Sequence, residues 1–278
     1  MDTDKAYWDS IGRSGGVHHL ERNVAEYKKA EHVRLLERWC SQMTPASVLK
    51  TDAYEEAFGC DSFMDWLESK AGSVCLMDVS SAILSRAKKN VNSAALLNAS
   101  VSALPFKEPV FDLVVSNSTL DHLQREDLPL ALAELSRVTD RGGTLVLTLD
   151  NAHNPLYHLG YILSNLLGLG GYRQARCYSA GEVTSLLAAA GFVVDDVRSI
   201  VHLPTPFNLL AKAASNINAL IADVPIRFLI RLFSTLGLGG RNIHTGWFLA
   251  FKCTKNNSPP SVSNGRRASQ WRFVSPCN

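Results

Sequence analysis

The sequence has no cysteine pair at C-x-x-C spacing, no apolar run long enough to cross a membrane and no marked excess of either charge. Each absence excludes something. The six cysteines, Cys40, Cys60, Cys75, Cys177, Cys253 and Cys277, are scattered, and Cys75 and Cys253 lie inside the apolar runs SVCLMDV and FLAFKC. Buried free thiols in a reducing compartment are therefore expected, rather than a zinc site, whose ligands group at short spacing. A membrane span needs roughly 18 consecutive apolar positions, and no stretch supplies them. A formal charge of +2 over 278 residues gives no support to nucleic-acid binding, which calls for a clustered basic face. The N-terminus, MDTDKAYWDSIGRSGG, is polar and acidic, unlike a secretory signal, so a cytoplasmic chain is expected. Glycine is also missing from one telling place. None occurs between Ser47 and Gly59, which removes the G-x-G-x-x-G loop that a nicotinamide-dependent dehydrogenase carries after its first strand.

What is present is an ordinary folded composition, 46% apolar and 19% charged. Val24, Tyr27, Val33, Leu35, Leu36 and Trp39 recur at helical spacing and predict an amphipathic helix over Asn23 to Cys40. Short apolar runs follow: ASVLKT, SVCLMDV, ALLNA, FDLVVSN and GGTLVLTLD. Helices are expected between them near Glu55 to Ser69, Ser80 to Asn90 and Arg125 to Val138. This alternation is the signature of βαβ units, and the nearly all-apolar strands are those of a parallel sheet covered on both faces. Two further strands are expected in GFVVDDVRSIVHL, after a helix over Ala180 to Ala190, and in WFLAFKC. Between them lies a helix-prone apolar insert, Pro206 to Leu238, which Pro225 should break in two. Beyond Lys255, NNSPPSVSNGRRAS reads as a disordered tail over 256–278, with Trp271 and Phe273 near its end.

In an open parallel sheet, ligands sit at the carboxyl ends of the strands, near the switch in strand order. The second strand ends in LMDVSSAILSRAK, where Asp78 offers paired acceptors for the two hydroxyls of a ribose, and Ser80 can cap the next helix. The alternative is that Asp78 merely opens a loop.

The ordered series LMDVSSAILSRAK, LPFKEPVFDLVVSNSTLDHL, ALAELSRVTDRGGTLVLTLDN and YSAGEVTSLLAAAGFVV resembles the class I methyltransferases, in particular the type 11 group that includes quinone-biosynthesis enzymes. The resemblance runs from about Ser47 to Ile200 and resumes weakly at Trp247. It implies a Rossmann-like, seven-stranded α/β sheet whose last strand inserts antiparallel, helices on both faces, and S-adenosylmethionine at the ends of the first four strands. On this likeness the domain covers 45–255, the insert about 204–240, and residues 1–44 form a helical lid. Carried over by position, Asp78 takes the ribose and Val79 lies against the adenine. Ser100 and Val101 fall where an acidic residue and its apolar neighbour flank the adenine, and Asn117 lies near the methionine moiety. Asp121 and His122 face the methyl group or the substrate.

The first loop departs from the family. SVLKTDAYEEAFG puts Lys50, Asp52, Tyr54 and Glu56 over positions where an acid and glycines are expected. Either the loop is rebuilt, with Asp52 facing the cofactor's amino group, or the pocket is closed and the fold survives as a non-catalytic scaffold. For catalysis, His122 is the best-placed base if the acceptor must lose a proton, the alternative being a helix-entry residue bonded to backbone. His18, His19 and His153 are weaker candidates. The apolar segments LYHLGYILSNLLGLGG and Pro206 to Leu238 suggest a small apolar or lipid-like acceptor, or peripheral contact with a membrane through Lys212, Arg227, Arg231 and Arg241. Packing on the sheet or a dimer contact would explain the same segments.

Overall fold

The computed structural model describes residues 2–14, 20–59, 61–155, 166, 176–235 and 242–256. Runs of Val, Leu and Phe form seven strands: β1 (Ser47–Lys50), β2 (Ser73–Asp78), β3 (Ala95–Asn98), β4 (Phe111–Asn117), β5 (Thr139–Asp150), β6 (Phe192–Ile200) and β7 (Phe248–Lys255). They make one sheet in the order β3-β2-β1-β4-β5-β7-β6. Strands β1 to β5 pair in parallel, and β7 runs antiparallel between β5 and β6. This is the mostly parallel Rossmann-like sheet that the resemblance implied.

Eight helices are described: α1 (Asp2–Ser14), α2 (Arg22–Cys40), α3 (Tyr54–Phe58), α4 (Met64–Lys70), α5 (Ser81–Ala87), α6 (Leu128–Val138), α7 (Ala180–Ala189) and α8 (Thr205–Ser234). They enclose the sheet, and successive strand residues show why the strands read as unbroken apolar runs. Val48, Leu113, Val115 and Val146 pack on one side with Val24 and Leu36 of α2, Leu67 of α4 and Ile226 of α8. Leu49, Val114, Leu145 and Leu147 pack on the other with Leu132 and Leu135 of α6 and Leu187 of α7. Side chains alternate across a strand, so a strand buried on both faces needs an apolar residue at every position. Each fully buried Leu or Val contributes roughly 1.5–3 kcal/mol of transfer free energy.

Two expectations are corrected. The helix anticipated over Glu55 to Ser69 is two helices, α3 and α4, because the chain between them turns inward. There Asp61 is buried against Lys28, and Phe63 is buried with its ring stacked on His32. The insert breaks at Asn218 and not at Pro225, which lies inside continuing helix. Asn218 leaves helical geometry at φ −157° and ψ 102°, and its Oδ1 accepts the Ile221 N–H at 3.2 Å, capping the second segment. Pro225 deprives only the Ile221 carbonyl of its helical donor, and Ile221 is 73% exposed, so water can replace it. Cys40 and Cys253 are buried free thiols, and Cys75 and Cys177 are half-buried ones. Cys60, Cys277, Trp271, Phe273, Arg241 and the LYHLGYILSNLLGLGG segment apart from Leu166 lie outside the described residues, as does the tail after Asn256.

Asn218→Ala removes the cap while leaving Pro225 in place. It is expected to cost about 1 kcal/mol by urea denaturation; an unchanged midpoint would show that the cap does not hold the second segment.

Candidate functional site

The chain runs outward through β1, β2 and β3 and then returns to β4, so the strand order switches between β1 and β4. A crevice is expected at the carboxyl ends there. β1 delivers Lys50 to that point, fully buried. Its ammonium donates to the Asp52 carbonyl at 2.6 Å and to Glu56 at 3.0 Å, and lies 3.7 Å from a Glu55 oxygen. A second buried lysine, Lys28 of α2, meets Glu55 and Asp61, each at 2.9 Å. Asn117, ending β4, donates to Glu55 at 3.1 Å and accepts from Thr148 at 2.9 Å. Buried charge is tolerable only when paired and hydrogen-bonded, and this network meets that condition for both ammonium groups.

Asp78 ends β2 beside the network. One carboxylate oxygen accepts the Ser80 N–H at 2.7 Å, and the other accepts the Ala53 N–H at 3.1 Å, tying the β1 loop to β2. Ser80 caps α5 by accepting the Ile83 N–H and donates to Asp9 of α1 at 2.7 Å. α1 lies close on α5 because Gly12 has no side chain: a Cβ there would meet the Ala82 Cβ at 2.6 Å. That approach carries Trp8 over the crevice, its ring 5.1 Å from His122 and 6.3 Å from Tyr54. Ser118, just past β4, holds a positive φ of 47°, a conformation costly for a residue with a Cβ.

Asp52, Asp78 and Asn117 are thus gathered at one place through the 51–56 loop. Asp52 Oδ1 accepts the Tyr54 N–H at 2.7 Å, at the start of α3. Val79 is half-buried beside Asp78, and its carbonyl accepts from Asn98. Ser100 accepts the Ser102 N–H and closes a local turn, while Val101 packs in the core with Leu104. Asp121 is fully buried and His122 half-buried beneath Trp8. His153 accepts the Ala180 N–H at the start of α7, so it serves a helix end. His18 and His19 lie outside the described residues. Sequence reasoning missed Lys28, Glu55 and Asp61. Lys28 sat unremarked on a polar-looking helix, and the only signal was a lysine ending an apolar strand five residues before a Glu-Glu pair.

Burial raises the Asp78 carboxyl to about 6 and the Asp121 carboxyl to about 7. Burial would raise Glu55 as well, but Lys28 and Lys50 override it and hold Glu55 at about 2. Asp52 and Glu56 are raised, first by burial. Burial and then Lys28 push His32 down to about 4, so His32 is neutral at physiological pH. Two buried carboxylate oxygens at this end of the sheet have no hydrogen-bond partner among the described residues: Asp121 Oδ1, and Glu55 Oε2, which Lys50 approaches only to 3.7 Å. Perturbed carboxyls with spare acceptors at a strand-order switch are what a ligand site requires.

Comparison with known proteins agrees with this reading of the fold. The methyltransferase domain family matches residues 57–147. A malonyl-[acyl-carrier protein] O-methyltransferase of Hamiltonella defensa subsp. Acyrthosiphon pisum (strain 5AT) is 30% identical over 128 residues. That match spans 46% of each chain, so this chain covers about half the length of that relative. Magnesium protoporphyrin IX methyltransferase from Synechocystis PCC 6803, solved with bound SAH, superposes with a TM-score of 0.57 at 12% identity, covering 92% of this chain and 99% of that one. The N-methyltransferase NodS from Bradyrhizobium japonicum WM9, in complex with S-adenosyl-l-homocysteine, gives 0.51 at 12% identity, covering 82% and 86%. The class I methyltransferase resemblance therefore holds, in the domain match and in the fold.

Removing one partner of the buried network leaves its counter-charges stranded. Lys28→Met is expected to lose about 3–5 kcal/mol in chemical denaturation near neutral pH; a loss below about 1 kcal/mol would contradict the network's role. Glu55 is held at about 2 against an ordinary 4.5, so its contribution is fully present above 4.5 and is lost as pH falls towards 2. Glu55→Gln should flatten the stability profile across that window.

Proposed function

We propose that the chain is an S-adenosylmethionine-dependent methyltransferase acting on a small, apolar or lipid-like acceptor. The observation that carries this reading is the convergence of Asp78, Asn117 and Asp121, two of them carboxyls raised towards neutrality, at the strand-order switch of this fold. Fold alone does not fix activity, so the weight rests on these residues. Asp78 would hold the ribose hydroxyls, with Val79 beside the adenine. Asn117 would lie near the methionine moiety, and Asp52 near its amino group. When bound, the cofactor supplies a methyl group on a positively charged sulfur.

The chain's own task is alignment. Holding the acceptor in line with the methyl group can supply roughly 7–11 kcal/mol of the barrier. His122, half-buried under Trp8, is the reachable proton acceptor where the acceptor must lose a proton. Asp121 is wholly buried and would act by positioning this loop. An apolar acceptor suits the leucine- and isoleucine-rich insert.

A second reading, a scaffold of the same fold without catalysis, has one observation in its favour. Lys50, Glu55 and Glu56 put a closed ionic network behind a loop that carries glycines in the family. Calorimetric titration with S-adenosylhomocysteine separates the two. Saturable heat supports the enzyme reading; a well-folded sample that gives none at high ligand concentration sinks it. Asp78→Asn, with its circular dichroism unchanged, is expected to weaken binding about ten- to a hundredfold. The ionised carboxylate would accept the ribose hydroxyls and burial raises Asp78 to about 6, so affinity should fall as pH drops through 6 in the wild type and fall less steeply in Asp78→Asn.

A further inference from the structure

The second segment of α8 is apolar on two opposite sides. Ala222, Ile226 and Ile230 are buried against the body of the protein. Leu220 is 89% exposed, Ile221 73%, Val224 72%, Phe228 66% and Leu232 52%. At about 100° per residue these five positions fall within a sector roughly 120° wide, opposite the buried set. Ile217, just before the break at Asn218, is also exposed. A contiguous apolar stripe of this size is not what a helix facing only water presents.

The charges beside the stripe say what covers it. Between Pro204 and Thr235 the chain has three basic residues, Lys212, Arg227 and Arg231, and a single acid, Asp223. That acid is already committed: it lies 3.0 Å from Arg227 and accepts from Asn23 of α2. Arg227, on one flank of the stripe, is the partner of that acid, and Arg231 is exposed within the stripe itself, about 20° round the helix from Leu220. A second copy docked across a two-fold axis would bury Arg231 of each copy in an apolar interface, with no spare carboxylate on the segment to answer it. A surface of anionic headgroups over acyl chains answers both features, because arginine can keep its charge at headgroup level while its stem and the apolar side chains enter the bilayer boundary. No described helix is long and apolar enough to cross a membrane, and a helix lying flat needs no such length.

We propose that the outer face of α8, from Leu220 to Leu232, docks the protein on an anionic membrane surface. The docking does not depend on what the site between β1 and β4 binds. In co-sedimentation, the full chain pellets with phosphatidylcholine vesicles containing phosphatidylserine, less with phosphatidylcholine alone, and less again as salt is raised. Leu220→Asp combined with Val224→Asp lowers vesicle affinity about tenfold or more, and both positions are exposed, so the fold is retained. Phe228→Trp, on the same face, reports insertion by a blue-shifted emission on vesicle addition. The proposal is overturned if the wild type does not pellet, if the double variant pellets equally, or if the stripe instead joins two copies in solution that the double variant separates.

Discussion

The arrangement of this protein turns on one buried ionic network. Lys28 from α2 and Lys50 from β1 hold Glu55, Glu56 and Asp61 in the interior. Desolvating any of these groups alone would be prohibitive, so each lysine makes its acids tolerable and the acids keep the lysines charged. The geometry of the loop after β1 follows. Lys50 bonds the Asp52 carbonyl, the Asp52 carboxylate accepts the Tyr54 N–H where α3 begins, and Glu55 accepts from Asn117 at the end of β4. Strands β1 and β4 are thereby tied at the point where the strand order reverses. The Ala53 N–H adds β2 through Asp78.

A glycine-rich loop lets backbone approach a cofactor closely because no Cβ intervenes. Here the loop is shaped by side-chain charge instead. It is stiffened by contacts on three sides; burial raises its Asp52 and Glu56 carboxyls, while Lys28 and Lys50 together hold Glu55 low. Trp8, brought over the crevice by the close packing of α1 on α5 at Gly12, gives the site an aromatic cover above His122 and Tyr54. α8 lies on α2, joined through Asn23, so the helix that bears the exposed stripe rests on the helix that supplies Lys28.

Much of the fold is legible in the sequence because burial on both faces writes itself as unbroken apolar strands. Val48 and Leu49 are neighbours in β1 that face opposite cores, so both positions call for an apolar side chain. Ser80 is legible too, since a serine between an apolar strand and a helical pattern suits a cap, and its hydroxyl accepts the Ile83 N–H. The network was not. Lys28 and Glu55 are distant in sequence, and the pairing of a helical lysine with a loop glutamate is set by tertiary packing, not by any local pattern. The break at Asn218 was hidden for a related reason. Proline is a loud signal, yet an asparagine that can cap the next turn ends a helix segment at lower cost than a proline whose orphaned carbonyl faces water.

If charge has replaced glycine without closing the site, a ligand must engage the 51–58 loop and the Asp78 turn together. Hydrogen exchange of the full chain with and without S-adenosylhomocysteine measures this most directly. Slowed exchange at the amides of 51–58 and 78–84 on adding the ligand is the expected result. Identical exchange in both segments at saturating ligand would mean that the ionic network has sealed the site.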